Sequence, residues 1–402
     1  MTPIASDQFS RFFVETFDEN QIVAVPLGFQ AFFGDGPSRT VVSPDADTVE
    51  LDILRANGER LAALVHRGMS SDDVSRQANA LASKYTNIVR KYPLIEELGN
   101  INSNKLGERR PGEQPFSQRS RLDRNRDIAR EILMDLVMKT IRTNEFLAAQ
   151  SILTGQQPAI LNTTNADLIY DFLRLATHFV TVGTGWNQVG ATIMDDIDGA
   201  CDLIEEDGHA EPNFLGIGGD STDAMINDAS FQALADNRRI ELIEVSTNFP
   251  VPPEYARFVQ AGWIPRGRLR TTRGRVLWIF NYNRNYTDPT SGLKVRFLPN
   301  DQAFVTDIGA RRDRYYGPPD RLPVTSDEAA WYQEMFGFSM TAPPMPPKVI
   351  ASGARNIVRP DVFFSDAYRS PDKKTVVLRV QNGPIYPTTQ TDAHVTLDGL
   401  IT

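Results

Sequence analysis

A single cysteine, Cys201, in a chain of 402 residues removes any internal disulfide and any CxxC metal or redox pair, so cross-linking does not stabilise this protein. A reducing cytoplasm suits such a chain. The four histidines, His66, His178, His209 and His394, are scattered and form no HExxH, which leaves zinc hydrolysis without sequence support. No GxSxG elbow occurs, and Cys201 within an acidic stretch is a poor candidate for a lowered-pKa nucleophile. No stretch of 18 uninterrupted apolar residues is found, and the opening MTPIASDQFSRFFVETFDEN has no basic region leading into an apolar run. The expectation is therefore neither a signal-peptide export substrate nor a membrane-spanning chain. Positive charge is also short: 42 Lys and Arg against 51 Asp and Glu give a net charge of -9, against a protein whose main work is gripping nucleic acid.

What is present belongs to a folded protein. Hydrophobic residues make up 41% and charged ones 23%, enough apolar surface for a real core. The length favours two unequal lobes with extended pieces buried against something else. Residues 1 to about 50 carry Phe9, Phe12, Phe13, Phe17, Phe29, Phe32 and Phe33 among Gly, Pro and Asp, with helical spacing only around Phe9 to Phe17. The segment reads either as a strand or helix on its own core or as an arm that docks on a neighbour. From Thr48, TVELDILRANGERLAALVHRG alternates on both sides of Asn57-Gly58 and reads as a hairpin. A long polar excursion follows, with a second limb near Tyr85 to Leu94.

The strongest helical signal runs from about Arg119 to Leu153. Ile128, Ile132 and Leu136 form one row, Leu133, Val137 and Ile141 the next, and Gly155 stands where a helix ends. After a strand-rich stretch come an acidic helix at Asp195 to Glu206, a buried strand NFLGIGG and further helix from Ser221 to Asp236. RLRTTRGRVLWIFNYN predicts a hairpin about Thr271 to Gly274, and TSGLKVRFLP another strand. Thr325 to Gly337 reads as a short helix capped by Ser326, followed beyond a Pro-rich link by strands KVIASGARNIV and KTVVLRVQN.

Several clusters could carry chemistry and are more simply structural. GIGGDS at Gly216 to Ser221 lacks the spacing of either phosphate-binding glycine motif and reads as a strand-to-helix turn. Asp195, Asp196 and Asp198 with Glu205, Glu206 and Asp207 could hold a divalent cation, but at a helix start they are dipole partners and no EF-hand pattern accompanies them. No catalytic residue, metal or cofactor is implied. Arg119, Arg121, Arg124 and Arg126 form one basic group and Arg266, Arg268, Arg270, Arg273 and Arg275 another, suited to phosphate or to carboxylates of another subunit. ARRDRYYGPPD, with Arg311, Arg312, Arg314, Tyr315 and Tyr316, has the composition of an interface anchor.

Four segments in order resemble the lambda-type major capsid proteins, the coat protein E family of tailed phages. They are RLDRNRDIAREILMDLVMKTIRTNEFLAAQSILTG, TGWNQVGATIMDDIDGACDLI, SFQALADNRR and FLPNDQAFVTDIGARRDRYYG, and the resemblance extends from about residue 50 to 382. It implies an α+β, Hong Kong 97-like capsid fold. On that template residues 1–45 are the N-terminal arm, 46–58 a strand into the E-loop, 59–95 the E-loop and 96–189 a peripheral domain with its spine helix at 117–155. Residues 190–310 are then the axial domain, and 311–402 return to the peripheral domain and end in a C-terminal extension.

The resemblance further implies a non-enzymatic, self-assembling shell protein of a double-stranded-DNA phage, forming hexamers and pentamers in the host bacterial cytoplasm and residing in the virion capsid. Subunit contacts would fall to Arg67, Lys84, Lys91, Arg121, Arg124, Asp195, Asp196, Arg311, Arg314 and Tyr315. Partners would be a separate scaffolding protein, since no extra N-terminal coiled domain precedes the arm, a portal protein, a decoration protein near the C-terminal extension, and packaged DNA through weak non-specific contact. No acid near Lys84 or Lys91 marks a cross-linking site. Two rival readings stand beside this one: an encapsulin-like nanocompartment shell of the same fold, and a metal-dependent α/β enzyme using the acidic cluster and the glycine turn.

Overall fold

The computed structural model describes residues 28–34, 38–42, 47–54, 85–102, 121–160, 168–229, 231–232, 243–245, 251–318, 364–369 and 375–401. The predicted helix near Phe9 to Phe17, the Asn57-Gly58 turn, the capped helix at Thr325 and the strand KVIASGARNIV lie outside them. A 3-10 turn at Gln30–Phe32 leads to β1 (Thr40–Val42) and β2 (Thr48–Leu54), where Val49, Leu51 and Ile53 are buried while Thr48, Glu50 and Asp52 face out. The described partner of β2 is β3 (Tyr85–Lys91), antiparallel with Leu51 opposite Ile88, so the two limbs of the long excursion pair with each other. That register places apolar residues of both strands on one face, the condition that fixes strand pairing.

β4 (Ile95–Asn102) precedes α1 (Arg121–Thr154), whose 34 residues extend roughly 50 Å at 1.5 Å per residue. Its buried stripe runs through Ala129, Leu133, Leu136, Val137, Ile141, Ala148 and Ile152, the spacing that identifies the helix in sequence. Gly155, at φ +67°, ends it as a left-handed residue. Arg174 reaches back to donate to the carbonyls of Ser151 (3.2 Å), Ile152 (2.5 Å) and Leu153 (3.4 Å), supplying donors for acceptors the helix cannot satisfy. β5 (Gln156–Pro158) and β6 (Ile169–Asp171) form a short ribbon after it.

The next elements are β7 (Phe179–Thr181), α2 (Ile193–Gly208), β8 (Phe214–Ile217), α3 (Gly219–Asn227), β9 (Ile243–Val245), α4 (Ala256–Gln260), β10 (Ile264–Arg270) and β11 (Val276–Asn281). The predicted hairpin joins β10 to β11, with Gly274 at φ +89° in its turn. β12 (Asn285–Thr287) pairs with β13 (Lys294–Arg296), and β14 (Ala303–Thr306) follows. The chain closes with β15 (Arg314–Tyr316), β16 (Phe364–Arg369), β17 (Thr375–Asn382), β18 (Pro384–Ile385) and β19 (His394–Asp398).

A seven-stranded sheet in the order β7-β19-β14-β8-β11-β10-β9 organises the second half of the chain. Alternation along its strands sends Leu215, Ile217, Leu277, Ile279, Val305, Val395 and Leu397 into one core with Ile197, Cys201 and Ile204 of α2. Phe214, Phe280 and Phe304 point to the other face, into an aromatic core with Trp263, Tyr282, Phe258 and the arm residues Phe29 and Phe32. A second sheet, β16-β17-β4, carries α1, and Gly99 of β4 lies where any side chain would strike Ile132 and Leu136. The resemblance returns 311–402 to the peripheral domain and ends it in an extension; in the structure β17 joins β4 beside α1, and β19 inserts between β7 and β14. The segment read as an extension thus supplies an inner strand, because HVTL presents apolar residues to a sheet face that local pattern cannot locate.

Candidate functional site

Two features tie the arm to the body. The first is a cradle for residues 28–34. Phe32 sits 4.5 Å from Phe258, 5.0 Å from Phe214 and 5.9 Å from both Trp263 and Phe304, centroid to centroid, and Phe29 stands edge-on to Trp263 at 5.3 Å and Tyr282 at 5.4 Å. Offset and edge-on ring pairs of this kind add to plain area burial. Beside the rings, the Glu145 carboxylate of α1 accepts N–H bonds from Phe29 (2.7 Å) and Gln30 (3.2 Å) and the Tyr282 hydroxyl (2.8 Å). The Gln30 side-chain amide donates to the Ile141 carbonyl at 3.4 Å. Burial pushes Glu145 up to about 7, against the pull of its own hydrogen bonds.

The second feature is a polar centre under ARRDRYY. Arg312, fully buried, donates to the carbonyls of Ala310 and Asp307, to Thr306 Oγ1 (2.6 Å) and to His394 Nε2 (3.2 Å), and its guanidinium lies 5.3 Å from the Phe32 ring centroid. Because His394 Nε2 accepts, Nδ1 carries the proton and donates to Thr306 Oγ1 at 2.7 Å. Burial, then Arg312 and Arg174, hold His394 well below the usual histidine range, consistent with that neutral ring. Next to it, buried Asp313 accepts the Arg39 N–H (2.7 Å), an Arg311 ion pair (2.8 Å) and the Tyr315 hydroxyl (3.3 Å). β15 then pairs in parallel with β1, Thr40 opposite Arg314.

The residues named from sequence are dispersed. Arg67 and Lys84 lie outside the described residues, and Lys91 is an exposed residue at the end of β3. Arg121 opens α1 and Arg124 lies one turn on. Asp195 and Asp196 form the first turn of α2, where Asp196 accepts the indole N–H of Trp186 at 3.0 Å. Arg314 and Tyr315 lie on β15 and Arg311 just before it, with Arg314 donating to Thr40 Oγ1 at 3.2 Å and burial first, then Asp313, raising Tyr315 to about 12. Arg312 departs from the expectation of an interface anchor, since its donors are spent inside its own chain. Arg275 forms ion pairs with Asp202 (2.6 Å) and Glu205 (2.5 Å), and Arg273 with Asp202, so these hairpin arginines meet α2 of their own chain. Among the described residues no group of three or more His, Cys, Asp or Glu is placed to hold a metal ion.

Glu145 is the residue that sequence reading misses, and Arg312 is one it names for an interface without its burial. Glu145 had a readable signal: it follows Ile141 by four and precedes Ala149 by four, a charge on the buried stripe of an amphipathic helix. The burial of Arg312 had none, because its partners lie on distant strands.

A long helix laid on one small sheet, a seven-stranded sheet that takes in the late strand β19, and an apolar arm clamped across it make up the fold of Hong Kong 97-like phage capsid proteins. A protein named as a prophage capsid protein of Escherichia coli CFT073 is similar over 98% of each chain, with a TM-score of 0.56 at 14% identity. A phage-related protein of Bordetella bronchiseptica RB50 is similar over 96% of each chain, with a TM-score of 0.44 at 10% identity. The SrpI encapsulin of Synechococcus elongatus PCC 7942 matches 90% of this chain and 84% of its own, with a TM-score of 0.39 at 10% identity. No curated protein sequence matches. The model of the phage major capsid protein E family matches residues 70–398, and the chain belongs to that family. This is a family of structural shell proteins and not of enzymes.

Proposed function

We propose that this chain is the shell subunit of a tailed double-stranded-DNA phage head, assembling into hexamers and pentamers that enclose the genome. The family match over residues 70–398 carries the reading. Residues 1–45 act as the arm and 59–95 as the E-loop, both clamping neighbours, while 96–189 with α1 form the peripheral domain and 190–310, joined by β19, the axial domain. A net charge of -9 keeps the wall from gripping packaged DNA, leaving only weak non-specific contact. A separate scaffolding protein, a portal and a decoration protein complete the set of partners, and assembly takes place in the host cytoplasm. Shell contacts of the obligate kind commonly bury roughly 2,000–5,000 Å², and closed symmetric lattices are their usual product.

Expression alone and with a candidate scaffold, followed by sedimentation and negative-stain imaging, tests this. Closed shells or capsomer-sized rings are expected. A monodisperse monomer under both conditions overturns the proposal, and shells filled with a protein cargo instead of nucleic acid point to a nanocompartment.

Arg311, just before β15, and Arg314, on it, are half-buried and are proposed to hold a neighbouring subunit as well as their own chain. Replacing both with alanine should cut shell yield severalfold while circular dichroism shows an intact fold. Normal yield would assign them to their own chain alone.

A further inference from the structure

We propose that Glu145 makes docking of segment 28–34 proton-dependent, the segment binding more tightly as the solution is acidified and more weakly as it approaches neutrality. The geometry demands a dependence of this kind. The carboxylate is enclosed between α1, the arm and the Tyr282 side chain, and its donors among the described residues are neutral groups: the Phe29 and Gln30 backbone N–H groups, with that of Gly28 beside them, and one hydroxyl. Lifting the segment removes the backbone donors and opens the carboxylate to water. Docking therefore transfers an ionisable group from water into a closed site where, among the described residues, no cation is its hydrogen-bond partner, and such a site favours the neutral acid.

The surrounding groups do not reverse this. Tyr282, which also accepts the Gly28 N–H at 3.2 Å, is held neutral by burial and by Glu145. Tyr386, across the arm beside Phe33, is held neutral by burial too. Arg284 acts on Tyr282 from the exposed side. From α1 the neighbouring polar contact is the Ile141 carbonyl, already bonded to the Gln30 side chain. The arm residues in contact, Gly28, Phe29 and Gln30, bring no charge.

The sign follows from linkage. Docked Glu145 titrates at about 7 against an ordinary value of 4.5, so the docked state holds the extra proton between those limits. The corresponding stability is fully present below 4.5, is lost as pH rises toward 7, and changes little above it. The test is hydrogen exchange of the peptide spanning 28–34 in the full-length protein from pH 4.5 to 8.5, corrected for intrinsic exchange. Protection should fall about tenfold per pH unit over the middle of the window and then level off near neutrality.

Glu145→Gln, which stays neutral throughout, should give a flat profile. Tyr282→Phe keeps the carboxyl but removes a donor that favours the ionised form, so its plateau should move to higher pH, and this variant serves if the glutamine form does not fold. A flat wild-type profile, the same slope in Glu145→Gln, or protection that grows with pH would overturn the proposal.

Discussion

Replacing Phe32 with alanine should destabilise the protein by about 3–5 kcal/mol, read as a shift of the urea midpoint, the range found when a large buried aromatic is truncated in a packed core. Phe32 contacts five other rings, of which Phe214, on β8, and Phe304, on β14, belong to adjacent strands of the central sheet. The cavity left by alanine would be walled by aromatic side chains whose rotamers are set by one another, so collapse around it should be limited. The loss should also be local. Phe32 is the wedge that seats residues 28–34, and the exchange protection of that segment should fall further than that of β8 or β14. Equal loss everywhere would mean that the arm and the sheet unfold as one unit.

Arg312→Ala should cost about 3 kcal/mol or more by the same measurement. The substitution strands the carbonyl of Ala310, takes one of its donors from the carbonyl of Asp307, which keeps the Ala310 N–H, and deprives Thr306 and His394 of a donor, in a largely buried region. Each unsatisfied buried polar group costs on the order of 1–3 kcal/mol, and only partial relief can come from water entering the space. Lysine should recover little of the loss, because one ammonium cannot reproduce a planar fork serving four acceptors. Arg311→Ala makes the control. Its partner Asp313 keeps the Arg39 N–H and the Tyr315 hydroxyl, so a shift well under that of Arg312→Ala is expected.

How much of this was readable in advance depends on whether a residue's partners are near it in sequence. α1 was readable because Leu133, Val137 and Ile141 repeat at helical spacing, and Gly155 closes the pattern. The β10–β11 hairpin was readable because both strands flank a turn with a left-handed glycine. The pairing of β2 with β3 was only half readable: the limbs were visible, but Asn57-Gly58 is a local signal, whereas register is set by apolar faces far apart in the chain. The site fared less well. Charged residues were taken as surface because most are, yet Arg312, Asp313 and Glu145 are buried with partners from β14, the arm and the C-terminal strand. Burial of a charge is a property of the assembled fold, and only Glu145, standing in an apolar stripe, advertised it.

The place of β19 bears on how the protein is made. His394–Asp398 is an inner strand of the central sheet, hydrogen-bonded on one side to β14 and on the other to β7. A ribosome delivers this strand after every other member of the sheet, so a nascent chain emerging through β14 has the facing edges of β7 and β14 unfilled until β19 itself has been made. Those edges are templates for other strands in the meantime. A product that stops short of β19 lacks the strand that joins β7 to the rest of the sheet.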